Sequence, residues 1–78
     1  MENLITEIKK NSTEVYRIYE KEYEGYKFID VRIYYKDNNS GEYKPTKKGI
    51  SIMPNNVGEI IGGILEAMEA MGFSEEKA

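Results

Sequence analysis

The chain has 78 residues without cysteine or histidine. That excludes disulfides, the usual zinc and haem sites, and any Ser–His or Cys–His nucleophile pair. Its formal net charge of −3 is unevenly spread: residues 1–8 carry −2, residues 9–48 carry +3 and residues 49–78 carry −4. Screening confines surface fields to about 8–10 Å, so a partner meets the basic centre as a local patch.

A chain this short buries only about 60% of the surface its unfolded form exposes. With disulfides and metals excluded, a second copy is the remaining source of stability, and a homodimer is expected. No apolar run approaches the roughly 20 residues that cross a bilayer, and no signal-peptide pattern opens the chain. The expectation is a cytoplasmic protein, nuclear if its source is eukaryotic, with no membrane partner, small-molecule substrate, cofactor, metal or catalytic residues.

Residues 1–12 form an N-terminal arm. The spacing of Leu4, Ile5 and Ile8 suits a short helix, which would not persist unpacked, so the arm is read as a short helix or a disordered tail. From Thr13 to Lys36, Tyr, Val, Ile and Phe suit a pleated surface, and Glu24-Gly25 divides the stretch into two strands joined by a tight turn. In the second strand Ile29, Val31 and Ile33 alternate with Phe28, Asp30, Arg32, Tyr34 and Lys36. One face is therefore core, and the other carries rings and charges.

Asp37 to Gly41 is a dense cluster of turn formers and predicts an exposed loop. Glu42 to Lys44 predicts a short third strand that Pro45 ends or confines to an edge. Gly49 to Met53 predicts a fourth strand with Ile50 and Ile52 inward. After Pro54 the pattern of Val57, Ile60, Ile61, Ile64, Leu65, Met68 and Met71 predicts an amphipathic helix, with Gly72 as its stop. Val57, Ile60, Ile61, Ile64, Leu65 and Met68 are the expected dimer interface. Residues 74–78 form an acidic tail.

The run from Phe28 to Ile52 resembles the conserved core of the positive cofactor four family of transcriptional coactivators. The resemblance is carried by IDVR at Ile29 to Arg32, Tyr34-Tyr35, Asp37, Gly41-Glu42, Lys44-Pro45 and KKGIS at Lys47 to Ser51. It implies an α+β fold: a curved four-stranded antiparallel sheet followed by one C-terminal helix, dimerising through helix and strand edges. It also implies that residues 13–73 are a single-stranded-DNA-binding domain. Such a homodimer would stabilise unpaired DNA, with little regard to sequence, in transcription, replication, recombination or repair. The richness in Ile, Lys, Asn, Tyr and Glu points to an AT-rich genome and a bacterial or phage member. The alternative is a protein-interaction cofactor that uses the same fold to contact polymerase or replication proteins.

By position, Tyr23, Arg32, Tyr35, Lys44, Lys47 and Lys48 match residues with which that family contacts single-stranded DNA. Rings stack on any base, and cations neutralise phosphates. The same tyrosines equally suit half-buried sheet positions, and Arg32 equally suits an ion pair with Asp30. Tyr35 stands where the family commonly has tryptophan, and Glu24 and Tyr26 stand where it often has bases. Strict alternation also puts Tyr35 opposite Arg32, so a bulge is needed for both to meet one DNA strand. Tyr26, Phe28 and Tyr34 share the Arg32 face and join the candidates, with Lys21 and Lys36 as further phosphate contacts.

Overall fold

The computed structural model describes residues 1–73. Four strands, β1 (Glu2–Lys9), β2 (Glu14–Tyr23), β3 (Tyr26–Lys36) and β4 (Tyr43–Ile52), are followed by a 3-10 turn (Pro54–Asn56) and one helix, α1 (Val57–Ala70). The strands form an unclosed antiparallel meander in the order β1-β2-β3-β4. The expected α+β architecture of four strands and one C-terminal helix is present, but two strands arise differently from the sequence reading.

The arm expected as a short helix or loose tail is instead strand β1, paired with β2 from Glu2↔Lys21 to Lys9↔Val15. The register shifts between Leu4 and Thr6. This bulge at Ile5 interrupts the two-residue alternation and leaves an apolar spacing that imitates a helix.

The second correction concerns β4, which runs unbroken through Pro45 where two separate strands were expected. Arg32 pairs with Gly49 and Tyr34 with Pro45. Between these pairs one residue of β3, Ile33, faces three of β4, and the surplus is a bulge around Thr46-Lys47-Lys48. Thr46 secures it: its Oγ1 donates to the Ile33 carbonyl at 2.7 Å and accepts from the Lys48 amide at 3.1 Å. Pro45, which has no N–H to offer, is tolerated because it sits on an edge strand beside this bulge.

Gly49 marks where β4 rejoins the ladder. A Cβ on it would lie 2.7 Å from the Val31 carbonyl oxygen and 2.9 Å from Arg32 Cα. Both obstacles are backbone and cannot swing aside. Gly49→Ala is therefore expected to destabilise the fold by about 1–3 kcal/mol, as overpacking does. A denaturant midpoint equal to that of the unaltered chain would contradict this.

The β2–β3 hairpin closes on Glu24 and Gly25, both at positive φ (51° and 82°). This is the primed turn whose twist matches its strands. At the other end α1 stops in a Schellman arrangement: the Gly72 amide donates to the Glu69 carbonyl and the Phe73 amide to the Met68 carbonyl. Only the Phe73 backbone folds back, because its ring stays exposed.

The interior is slight. Among the described residues Val15, Tyr34, Ile52 and the charged Asp30 are buried, and none lies in α1. Between the helix and the sheet lies an apolar cavity of about 300 Å³, lined by Ile18, Ile29, Val31, Ile52, Val57, Ile60, Ile61 and Ile64. The radius of gyration is 14.5 Å, against about 11.5 Å for a compact domain of this length. The chain is a thin slab, 19 Å across its shortest axis.

Candidate nucleic-acid interface

The sheet has two unlike faces. Pairing of β2 with β3 is continuous from Glu14↔Tyr35 to Tyr23↔Tyr26, so side chains alternate strictly along both strands. Ile18, Ile29 and Val31 fall on the helix side. Arg17, Tyr19, Lys21 and Tyr23 of β2, with Tyr26, Phe28, Asp30, Arg32, Tyr34 and Lys36 of β3, fall on the other side. Glu2 and Glu7 of β1 and Tyr43 of β4 join that second, open face through their partners in register.

At the centre of the open face is Asp30, the most deeply buried side chain at 2% exposure. Arg32 grips it with a two-point fork, Nε to Oδ2 at 3.1 Å and Nη2 to Oδ1 at 3.0 Å. Lys21 Nζ lies 3.7 Å from Oδ2, and the Ser51 hydroxyl donates to Oδ1 at 3.2 Å. Burial pushes this carboxyl upward. The bonds from Arg32 and Ser51 and the charges of Lys21 and Arg32 outweigh it, and hold the group below its ordinary value. The remaining Arg32 nitrogen, Nη1, donates to the Thr46 carbonyl at 3.0 Å. Arg32 thus ties the centre of β3 to the bulge of β4.

Beside this network Tyr34 is buried and stacked on Tyr19, with ring centroids 5.8 Å apart. Burial, then the neighbouring Tyr19, pushes the Tyr34 phenol up to about 12. Its ring is committed to packing. Tyr23 and Tyr26 are 69% and 68% exposed, and face each other across the last pair of the hairpin. They are the rings of the expected set that stand free at the rim, while Phe28 is half-buried beside them.

The expected cations divide into two groups. Lys21, Arg32 and Lys44 are held by carboxylates, the last at 2.7 Å from Asp37 Oδ2. Lys36, Lys47 and Lys48 are exposed and make no ion pair among the described residues. The bulge lifts Lys47 and Lys48 out of the ladder next to Arg32. Tyr35 does not join this set. The β4 bulge leaves β3 regular, so Tyr35 stays on the helix side, 42% exposed and opposite Lys44.

Arg17, Tyr19 and Tyr43 belong to the open face but were missed in the sequence. Arg17 Cζ lies 4.8 Å from the centre of the Tyr34 ring and 5.5 Å from that of Tyr43. The signal was available: Val15, Arg17, Tyr19, Lys21 and Tyr23 alternate in β2 as plainly as the set in β3.

Of the dimer candidates, Ile61 and Ile64 are more than half exposed and Leu65 is 38% exposed. Val57, Ile60, Ile61 and Ile64 line the apolar cavity, whereas Leu65 and Met68 lie outside it. No helix of the described residues is long and apolar enough to cross a membrane. The acidic tail at 74–78 lies outside the described residues.

Comparison with known proteins agrees with this geometry. The model of the Transcriptional Coactivator p15 (PC4) family matches residues 10–61. Two crystal forms of a PC4 homolog from Burkholderia pseudomallei superpose with TM-scores of 0.80 and 0.77. Their sequence identities are 34% and 35%, covering 86% and 83% of this chain and 97% and 86% of theirs. The RNA polymerase II transcriptional coactivator SUB1 of Saccharomyces cerevisiae is 36% identical over 64 residues, 78% of this chain. This chain matches 22% of that yeast protein's length. With the family model spanning two thirds of the sequence and the same fold in the bacterial homolog, the chain belongs to the Transcriptional Coactivator p15 (PC4) family.

Proposed function

We propose that the chain binds unpaired DNA on the open face of its sheet, without sequence preference, as a homodimer that stabilises melted DNA. One observation carries the reading: the open face offers exposed rings, Tyr23 and Tyr26, at its hairpin rim, and the β4 bulge that borders it beside Arg32 carries Lys47 and Lys48, exposed and without an ion pair among the described residues. A ring stacks on any base for about 1–3 kcal/mol, and a lysine meets a phosphate whatever the base. Neither contact reads sequence. In this reading Arg32 acts from its fork on Asp30, and Tyr35 contributes at most from the helix side. The chemistry calls for no catalytic group, and the protein acts wherever its DNA is opened, in transcription, replication, recombination or repair.

The homodimer is supported by the slab shape and by an apolar helix with no buried residue. A second copy would cover Ile61, Ile64 and Leu65 and close the cavity. Titration of an oligo-dT strand, with rU and duplex as competitors at two salt concentrations, tests the binding. The expected result is tight dT binding that falls steeply with salt. Absence of dT binding at low salt, with sedimentation showing an intact dimer, would refute it. Sedimentation of a folded monomer at micromolar concentration would refute the dimer.

A protein-interaction role draws support from the ion pairs that occupy Lys21, Arg32 and Lys44. Capture of a polymerase or replication protein that survives Lys47→Glu with Lys48→Glu would favour it.

A further inference from the structure

Arg17 is a cation of the open face that none of the family motifs includes. Its Nε donates to Glu7 Oε1 at 2.8 Å, and its Nη1 donates to the Tyr19 hydroxyl at 3.2 Å. Its guanidinium carbon lies within 5.5 Å of two ring centres, those of Tyr34 and Tyr43. Rings from β3 and β4 therefore hold a side chain that starts on β2, and only 20% of it is exposed. A guanidinium has five N–H donors. Two are used here, and three have no partner among the described residues.

The acid on Arg17 comes from the edge strand. Glu7 is 41% exposed, and on the same strand Glu2 stands 4.0 Å from Lys21. Such exposed pairs are weak and are screened by salt. A planar fork already fixed by neighbouring rings loses little freedom on meeting a phosphate. Glu7 and a phosphate would seek the same donors, and a strand of nucleic acid brings the more persistent anion.

We propose that Arg17 is an additional phosphate-binding residue of the open face, held in place by Tyr34 and Tyr43, and that Glu7 competes with nucleic-acid phosphate for it. This rests on the open face being the site for unpaired DNA. Strand β1 then does more than complete the sheet, because its carboxylate sets how much of the neighbouring strand's charge is available.

The test is titration of an oligo-dT strand, at several salt concentrations, into the unaltered chain, Glu7→Gln, Arg17→Gln and the double variant. Glu7→Gln should bind about two- to threefold more tightly than the unaltered chain at 0.1 M salt, with a salt slope steeper by about 0.3, its share of the roughly fivefold and 0.7 that one phosphate contact on a single strand carries. Arg17→Gln should bind about two- to threefold more weakly than the unaltered chain, so that it and Glu7→Gln differ by the value of one contact, and Glu7→Gln should add nothing in that background. If dT binds the unaltered chain and Glu7→Gln equally, with equal slopes, the inference is overturned and the functional reading stands. A gain that persists with Arg17→Gln also overturns it, because Glu7 would then act only as general surface charge. If neither the unaltered chain nor Glu7→Gln binds at low salt, the reading and the inference fall together.

Discussion

Replacing Lys47 and Lys48 together by Glu is expected to weaken oligo-dT binding by at least about 25-fold at 0.1 M salt. Each phosphate contact on a single strand contributes roughly 0.7 to the logarithmic salt slope, so losing two removes about 1.4 decades at that concentration. The reversed charges add repulsion to the loss. The bulge itself is secured by Thr46 and by the Arg32 bond to the Thr46 carbonyl, none of which uses a lysine side chain. The variant should therefore melt at the temperature of the unaltered chain. Anisotropy titrations at two salt concentrations give both affinity and slope. An affinity within threefold of the original, with an unchanged slope, would remove the bulge from the binding surface.

Asp30→Ala is expected to cost about 3 kcal/mol of stability, because removing one partner of a buried ion pair strands the others. Arg32 and Lys21 would be left against each other on a half-buried face, each side chain only about a fifth exposed. For a chain of this length the melting temperature should fall by roughly 15 °C. Acid should act through the same group. The Asp30 carboxyl is held below its ordinary value of 3.8 in the fold, so its stabilising contribution is complete above that value. It is lost as pH falls through the lower, folded value. Melting temperature should thus vary little between about pH 7 and pH 5 on this group's account and drop below about pH 4. Asp30→Asn should flatten that acid limb. An acid limb equally steep in Asp30→Asn would show that other carboxylates govern it.

Some of these features were plain in the sequence and some were masked by identifiable physics. The helix after Pro54 was legible because its apolar stripe runs over four turns without interruption. The β3 face was legible because Phe28 to Lys36 alternates without a break, and its pairing with β2 is regular. Both misread strands contain a bulge. At Ile5 the extra residue disguised β1 as a helical turn, and around Thr46-Lys47-Lys48 the surplus made one strand read as two. Alternation is a local rule, and a bulge suspends it where a strand must adapt to its neighbour.

The candidate site followed the same division. Lys47 and Lys48 were named through their motif, and the fold leaves both exposed and without an ion pair among the described residues. Arg32 was named too, but the setting of Asp30 depends on Lys21 of β2 and Ser51 of β4 as well as on β3. A dipeptide spacing alone could not separate a phosphate contact from an internal ion pair. Neither Tyr34 nor Tyr35 ends as a free ring of the open face, for a related reason. Alternation assigns the face, while burial decides whether a ring remains available to a ligand, and burial is set by Tyr19 and Arg17 on the adjoining strand.

The bulge in β4 also bears on how the chain tolerates changes in length. Between the Arg32–Gly49 and Tyr34–Pro45 pairs one residue of β3 faces three of β4, so the surplus is two, an even number. Tyr43 and Ser51, on either side of it, consequently point the same way. Insertion or deletion of a residue pair there would conserve that parity and alter only the size of the basic protrusion. Loss of a single residue would invert one end of the strand, turning Tyr43 away from Arg17 or Ser51 away from Asp30. Variation in length at this edge should therefore come in twos.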